Sequence, residues 1–202
     1  MSEYNDYLED QRNDTIGRGL GSKYMPRLLE LLPDYSFKNK VILDVGCGPF
    51  TTWDWIRERE KTAAVIGLDI GKATEELAET WSVTKNEYLR VGDAHDLIKY
   101  MSPGTCDLVV AFHSFEHMYN LPVVLRGCYD VLTPGGYLYY ALPMPSYNWK
   151  RGHWYDVPNE SAMNEMLTNE SFAVLSGEVF SNGEFRPEQE MVGLARKNSE
   201  EE

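Results

Sequence analysis

With 202 residues, 43% apolar and 12% aromatic, the chain can bury one sizeable core and is too apolar to remain disordered. A formal net charge of -13 repels phosphate backbones, and no basic cluster is visible beyond Lys150-Arg151, so nucleic acid is not an expected partner. Cys47, Cys106 and Cys128 are too few and too scattered for a disulfide framework or a thiolate zinc site. No apolar run approaches the roughly 20 residues of a membrane span, and MSEYNDYLEDQRND lacks the apolar stretch of a secretory leader; a reducing, cytoplasmic setting without a membrane partner is expected.

Residues 1–13 show no apolar periodicity. From Asp14 to Leu32 apolar residues recur mostly every three or four positions, which predicts a helix, broken near Gly21 or Pro26 and ended by Pro33. An alternation follows. Strands are predicted at Val41–Val45, Ala64–Asp69, Glu87–Val91, Cys106–Phe112 and Gly136–Leu142. Between them lie predicted helices at Thr51–Glu60 and Ala73–Trp81, a short turn at His95–Met101, and a helix at Leu121–Leu132. Continuous apolar strands separated by helices indicate a parallel sheet covered on both faces. The pattern then changes: a helix at Pro158–Leu167 precedes strands at Phe172–Phe180 and Glu190–Ala195, with Asn182-Gly183 between them as a hairpin signal. One domain is expected over 1–202: a helical segment at 1–40, a ligand-binding core at 41–143, and a lid with a terminal hairpin at 144–198.

The most informative stretch is Val41-Ile-Leu-Asp44-Val-Gly46-Cys-Gly48-Pro-Phe50, a strand running into Gly-x-Gly and then a helix capped by Thr51 or Thr52. Glycine permits a sharp turn and close approach of a ligand. In open α/β sheets the ligand crevice lies at the carboxyl ends of the strands. A carboxylate two residues before the first glycine, where dinucleotide fingerprints carry an apolar residue, suits a ligand with a positive amino group. Asp69 ends the second strand, where an acid can accept hydrogen bonds from ribose hydroxyls or simply cap a helix. Asp93 and Ala94 end the third, where they can meet an adenine amino group; helix capping is the alternative for Asp93.

The segments DVGCG, GLDI, VGDAHDL, CDLVVAFHSFEHM and LTPGGYLYYALP, in this order, resemble the successive motifs of class I S-adenosylmethionine-dependent methyltransferases over Val41 to Pro143. The resemblance is nearest to small stand-alone enzymes that methylate small molecules. It implies an α/β, three-layer Rossmann-like sandwich with a mostly parallel seven-stranded sheet, order 3-2-1-4-5-7-6, strand 7 antiparallel. It implies S-adenosyl-L-methionine as donor, S-adenosyl-L-homocysteine as product, and no metal. Asp44 and Gly46 would hold the methionine end, Gly48 would allow close approach, Asp69 would bind ribose, and Asp93 with Ala94 would face adenine. Cys47, Ile70 and His113 complete the implied donor set. Phe50 stands where many members have a third glycine.

Methyl transfer from a sulfonium needs alignment and exclusion of water above all. A general base is required only when the acceptor must lose a proton first. His113 and His117 are the candidates for that role, each with a packing alternative. Pro143 to Pro158, PMPSYNWKRGHWYDVP, is a long aromatic loop at the carboxyl end of the sheet; Tyr147, His153 and Tyr155 are its candidate acceptor-binding residues. The pattern His113-Ser-Phe-Glu116-His117 also matches the H-x-x-E-H of a metallopeptidase class. That chemistry needs both imidazoles on one helix, whereas here the motif straddles a strand end. The function that the resemblance implies is methyl transfer to a small-molecule oxygen or nitrogen acceptor. The alternatives are a non-catalytic donor-binding module, a protein methyltransferase, or an NAD-binding oxidoreductase.

Overall fold

The computed structural model describes residues 20–71, 79, 83–144, 154–181 and 189–199. Its elements are α1 (Leu20–Leu31), β1 (Val41–Val45), α2 (Thr51–Arg59), β2 (Ala64–Asp69), α3 (Val83–Glu87), β3 (Leu89–Val91), a 3-10 turn (Ala94–Lys99) and β4 (Cys106–Phe112). After β4 come a second 3-10 turn (Phe115–His117), α4 (Leu121–Val131), β5 (Leu132–Pro143), α5 (Glu160–Asn169), β6 (Phe172–Ser181) and β7 (Gln189–Lys197). The strands form one sheet in the order β3-β2-β1-β4-β5-β7-β6. Pairings from β3 to β5 are parallel, and β7 runs antiparallel to both β5 and β6.

Strand alternation divides the core into two layers. On β4, Val109 and Ala111 join Leu43, Val45, Tyr140 and Leu142 under α4 and α5. Leu108, Val110 and Phe112 join Ile42, Val65 and Tyr139 on the opposite face, under α1 and α2. Because β4 is buried on both faces from Leu108 to Phe112 it reads there as an unbroken apolar run, and its observed bounds coincide with the expected ones.

Several elements depart from expectation. Helix α1 runs unbroken through Gly21 and Pro26. Pro26 and Ser22 are both exposed, and Pro26 lacks the N–H that would otherwise bond the Ser22 carbonyl. Gly21 sits where α1 crosses the start of α2: a Cβ there would lie 2.6 Å from the Thr52 nitrogen, and the Gly21 N–H donates to Thr51 Oγ1 at 3.0 Å. Neither threonine caps α2. Its N-cap is Phe50, in the left-handed region at φ 55 with no side-chain cap bond, because Thr51 serves Gly21 and Thr52 serves Asp44. Glu87 ends α3 rather than opening β3. Lys85 on that short helix is buried, bonding Asp54 Oδ2 at 2.8 Å and the Pro49 carbonyl at 3.2 Å, a long-range anchor that periodicity does not encode. Strand β5 starts at Leu132: Cys106 pairs with Leu132 and Leu108 with Tyr137, so Thr133–Gly136 form a bulge. Helix α5 starts after Asn159, whose side chain accepts the Ala162 N–H at 2.9 Å. The predicted helix at Ala73–Trp81 and the Asn182-Gly183 turn lie outside the described residues, apart from Glu79; the last described pair of the hairpin is Ser181 with Gln189.

Candidate functional site

The glycine loop leaves β1 through two residues in the left-handed region, Gly46 at φ +70 and Gly48 at φ +46. The N–H groups of Gly46 and Cys47 both donate to the Leu68 carbonyl, at 2.8 and 3.2 Å, which ties the loop to the end of β2. A Cβ on Gly46 would lie 2.4 Å from Ser114 Cβ, whereas one on Gly48 would meet nothing within 4 Å. The loop is thus closed on the Gly46 side and open at Gly48. Phe50 is fully buried, and a Cβ on Gly67 would come within 2.9 Å of its ring and 2.7 Å of Cys47 Sγ. The third glycine of the resembling family is replaced by a ring that fills the space below β2.

Asp44 is buried at the end of β1. Burial pushes its carboxyl up to about 7; the Thr52 hydroxyl opposes the shift and the nearby Asp69 charge adds to it. Asp69 sits across the crevice at the end of β2. Its Oδ2 accepts the Gly48 N–H at 2.8 Å and its Oδ1 the Gly71 N–H at 3.0 Å. Each carboxylate oxygen keeps a second lone pair for a further donor. Ile70, half-buried, follows it.

At the end of β3, Asp93 caps the 3-10 turn. Its Oδ1 accepts the His95 N–H at 2.9 Å and lies 2.5 Å from His95 Nδ1. The Asn120 N–H donates to His95 Nε2 at 3.1 Å, so the proton of the neutral ring sits on Nδ1, facing Asp93. The His95 ring stacks on Tyr119 at 3.7 Å. Ala94 is buried beside them. The helix-capping alternative for Asp93 is therefore realised, with His95 as a partner that sequence reasoning did not single out. The available signal was an Asp-x-His directly after a strand.

His113 follows the last residue of β4 at φ 52, in the left-handed region. Its N–H donates to the Ala141 carbonyl at 2.8 Å. Its Nε2 is 2.7 Å from Tyr24 Oη and 3.2 Å from Glu190 Oε1, and its Nδ1 is 3.7 Å from Glu116 Oε1. Glu190, at the start of β7, also accepts the Tyr24 hydroxyl at 2.8 Å and bonds Lys23 Nζ at 2.7 and 2.9 Å. Burial acts to raise the Glu190 carboxyl, but the bonds from His113, Lys23 and Tyr24 outweigh it and hold it at about 2. Burial, then the Glu190 charge, pushes the Tyr24 phenol far above its usual range. Helix α1, the end of β4 and the start of β7 thus meet in one polar knot, and Lys23, Tyr24 and Glu190 had not been expected beside His113.

His117 belongs to the Phe115–His117 turn, with Nε2 3.8 Å from Glu116 Oε1. His113 and His117 share no helix, so the i, i+4 face of a zinc-binding H-x-x-E-H is not formed. Among the described residues no group of three or more His, Cys, Asp or Glu side chains is arranged to hold a metal ion. Tyr155 packs against the core below α5, its hydroxyl 3.4 Å from Met166 Sδ, and the N–H groups of Trp154 and Tyr155 donate to the Glu116 carbonyl at 2.8 and 3.2 Å. The carboxyl end of the expected lid is therefore pinned to the HSFEH turn. Tyr147 and His153 lie outside the described residues.

A family profile described as a methyltransferase domain matches residues 43–140. The ubiquinone biosynthesis O-methyltransferase of Pseudomonas entomophila is 30% identical over 109 residues, which cover 52% of this chain and 45% of that enzyme. The chain spans about half the length of the curated relatives it matches. Among solved structures, a chain of the complex between the Haloferax volcanii Trm112 methyltransferase activator and a methyltransferase superposes with a TM-score of 0.74 at 15% identity, over 97% of this chain and 98% of that one. An S-adenosylmethionine-dependent methyltransferase from Archaeoglobus fulgidus superposes with a TM-score of 0.70 at 18% identity, over 88% and 94%. At such identities the structural likeness shows the fold. The profile match adds that residues 43–140, just under half of the chain, resemble a methyltransferase domain.

The residues present fit S-adenosylmethionine, the donor that the resemblance implies. A buried carboxylate at the end of β1 has no cation among its described partners, the Cβ position of Gly48 is open, and Asp69 retains two lone pairs. No helix among the described residues is long and apolar enough to cross a membrane.

Proposed function

We propose that the chain is an S-adenosylmethionine-dependent methyltransferase acting on a small-molecule acceptor through oxygen or nitrogen, releasing S-adenosyl-L-homocysteine. The observation that carries this reading is the pairing of Asp44 and Asp69 across a glycine loop whose Gly48 face is open. When bound, the donor supplies an activated methyl on a positive sulfur. Asp44 would bind its amino group, Asp69 the ribose hydroxyls, and Asp93 with the Ala94 backbone the adenine. A donor held in this way would share the carboxyl end of the sheet with His113 and the pinned end of the expected lid. The curated relatives are named for transfer to oxygen, which supports a hydroxyl acceptor; the acidic chain disfavours a polynucleotide.

Titration calorimetry with S-adenosyl-L-homocysteine and with NAD tests the donor. Binding of the first and not the second is expected, and the reverse would return the chain to the oxidoreductase reading. Incubating the protein and methyl-labelled donor with a metabolite extract then tests turnover. Donor binding without any transferred label would favour a non-catalytic module.

A further inference from the structure

His113 holds an unusual position in its hydrogen-bond network. The Tyr24 hydroxyl has a single hydrogen, and that hydrogen is directed at Glu190 Oε2, 2.8 Å away. Tyr24 Oη therefore offers only lone pairs to His113 Nε2 at 2.7 Å. Glu190 Oε1, 3.2 Å from the same nitrogen, is a carboxylate oxygen kept ionised by Lys23 and likewise offers only lone pairs. Two acceptors against one ring nitrogen require that nitrogen to carry the hydrogen. In the neutral ring, Nδ1 is then bare. Its side of the ring faces Glu116, whose Oε1 is 3.7 Å away, beyond hydrogen-bond reach. Glu116 is itself buried, and its Oε2 has no hydrogen-bond partner among the described residues. A bare imidazole nitrogen and a neighbouring carboxylate with one unpartnered oxygen both need a donor.

We propose that Glu190 is a positioning residue that, with Tyr24 and Lys23, fixes His113 as its Nε2–H tautomer, so that Nδ1 beside Glu116 is the proton-accepting end of a subsite for a hydroxyl-bearing acceptor. This rests on the methyltransferase reading above. The acceptor oxygen gives its proton to Nδ1 and its electron pair to the methyl carbon, while the electrons of the broken carbon–sulfur bond stay on sulfur. The imidazolium so formed faces Glu116 on one side and Glu190 on the other, and returns its proton to solvent after product leaves. The charged and titratable groups around the ring are Lys23 and Tyr24 on α1, Glu116 and His117 on the turn after β4, and Glu190 on β7. The left-handed backbone of His113 holds the ring between these two carboxylates, a local strain of the kind found at functional positions.

The test is nitrogen-15 NMR of the histidine rings in the full chain, with His113→Asn used only to assign the His113 signals. At pH 8 the expected pattern is a protonated Nε2 and an unprotonated Nδ1. On acidification Nδ1 should take the proton while Nε2 stays protonated throughout. The reverse tautomer, a rapid average of both, or an imidazolium already present at pH 8 would overturn the proposal. Glu190→Gln, whose amide can donate to Nε2, should abolish the tautomer preference. A folded Glu190→Gln protein with the wild-type pattern would remove Glu190 from the role, and if that variant does not fold the wild-type titration still decides. Titration of the same samples with S-adenosyl-L-homocysteine separates the two readings, because failure to bind it contradicts the methyltransferase function without touching the tautomer.

Discussion

Asp44 gives a quantitative handle on donor binding. Its carboxyl is buried and raised to about 7. A cationic amino group binds the ionised form, so below that value the protein must first release a proton. The apparent affinity then falls with the ionised fraction, about tenfold for each pH unit below 7. At pH 5.5 roughly 3% of Asp44 is ionised, which weakens S-adenosyl-L-homocysteine binding about 30-fold relative to the alkaline limit. Calorimetry between pH 5.5 and 7.5, in two buffers of different ionisation enthalpy, should show about one proton released per ligand at the acid end. That release should decline toward pH 7.5. Asp44→Asn should flatten the pH dependence and weaken binding at pH 7.5 by at least about tenfold. The sign of the stability effect is opposite. A folded-state value raised above the ordinary 3.8 means the fold disfavours the carboxylate, so stability falls as pH climbs from 3.8 through 7. The asparagine variant should therefore melt higher than wild type at pH 8, by up to about 4 kcal/mol of stability, and near its temperature at pH 4. Affinity that is flat or declines between pH 5.5 and 7.5 would refute the assignment of Asp44 to the amino group.

Gly46→Ala places a Cβ 2.4 Å from Ser114 Cβ at φ +70, so it should destabilise the protein by about 1–3 kcal/mol and weaken S-adenosyl-L-homocysteine binding more than about tenfold, read by thermal melts and calorimetry. Gly21→Ala forces α1 off the first turn of α2, 2.6 Å away, and should lower the melting temperature by several degrees, on the order of 1–3 kcal/mol; an unchanged melt would contradict the docking of α1. Glu190→Ala leaves Lys23, Tyr24 and His113 without their shared acceptor and should cost on the order of 3 kcal/mol. Because the Glu190 carboxyl is held at about 2, below its ordinary 4.5, its contribution is complete above pH 4.5 and is lost as pH falls through 2. The gap between wild-type and variant melting temperatures should be constant from pH 5 to 6 and narrow below 4.5.

The sheet was legible in the sequence where burial on both faces makes a strand continuous and apolar. Leu108–Phe112 shows this, as do Val41–Leu43 in the strand that runs into Gly46. The strand order followed from the resemblance of the motifs, and the terminal pair of strands from the changed pattern after Pro158. The errors cluster where tertiary contacts override local preference. Thr51 and Thr52 are good capping residues, but one is used by Gly21 and the other by Asp44. Glu87 has strand neighbours, yet the buried Lys85 draws its segment into a short helix. The acids Asp44, Asp69 and Asp93 were readable as crevice residues because each is local to the end of a strand. The knot at His113 was not, because Tyr24 and Glu190 lie 89 and 77 residues from it in the chain and no periodicity links them. Glu190 looked like the polar first residue of a strand, when it is almost wholly buried.

The most direct measurement is a crystal structure of the full chain with S-adenosyl-L-homocysteine bound. The expected result is the ribose hydroxyls on the two Asp69 oxygens, the amino group on Asp44, and the sulfur directed past the Gly46–Gly48 loop toward His113. A ligand seated elsewhere, or one that leaves Asp44 and Asp69 without contacts, would contradict the assignment of this crevice as the methyl-donor site.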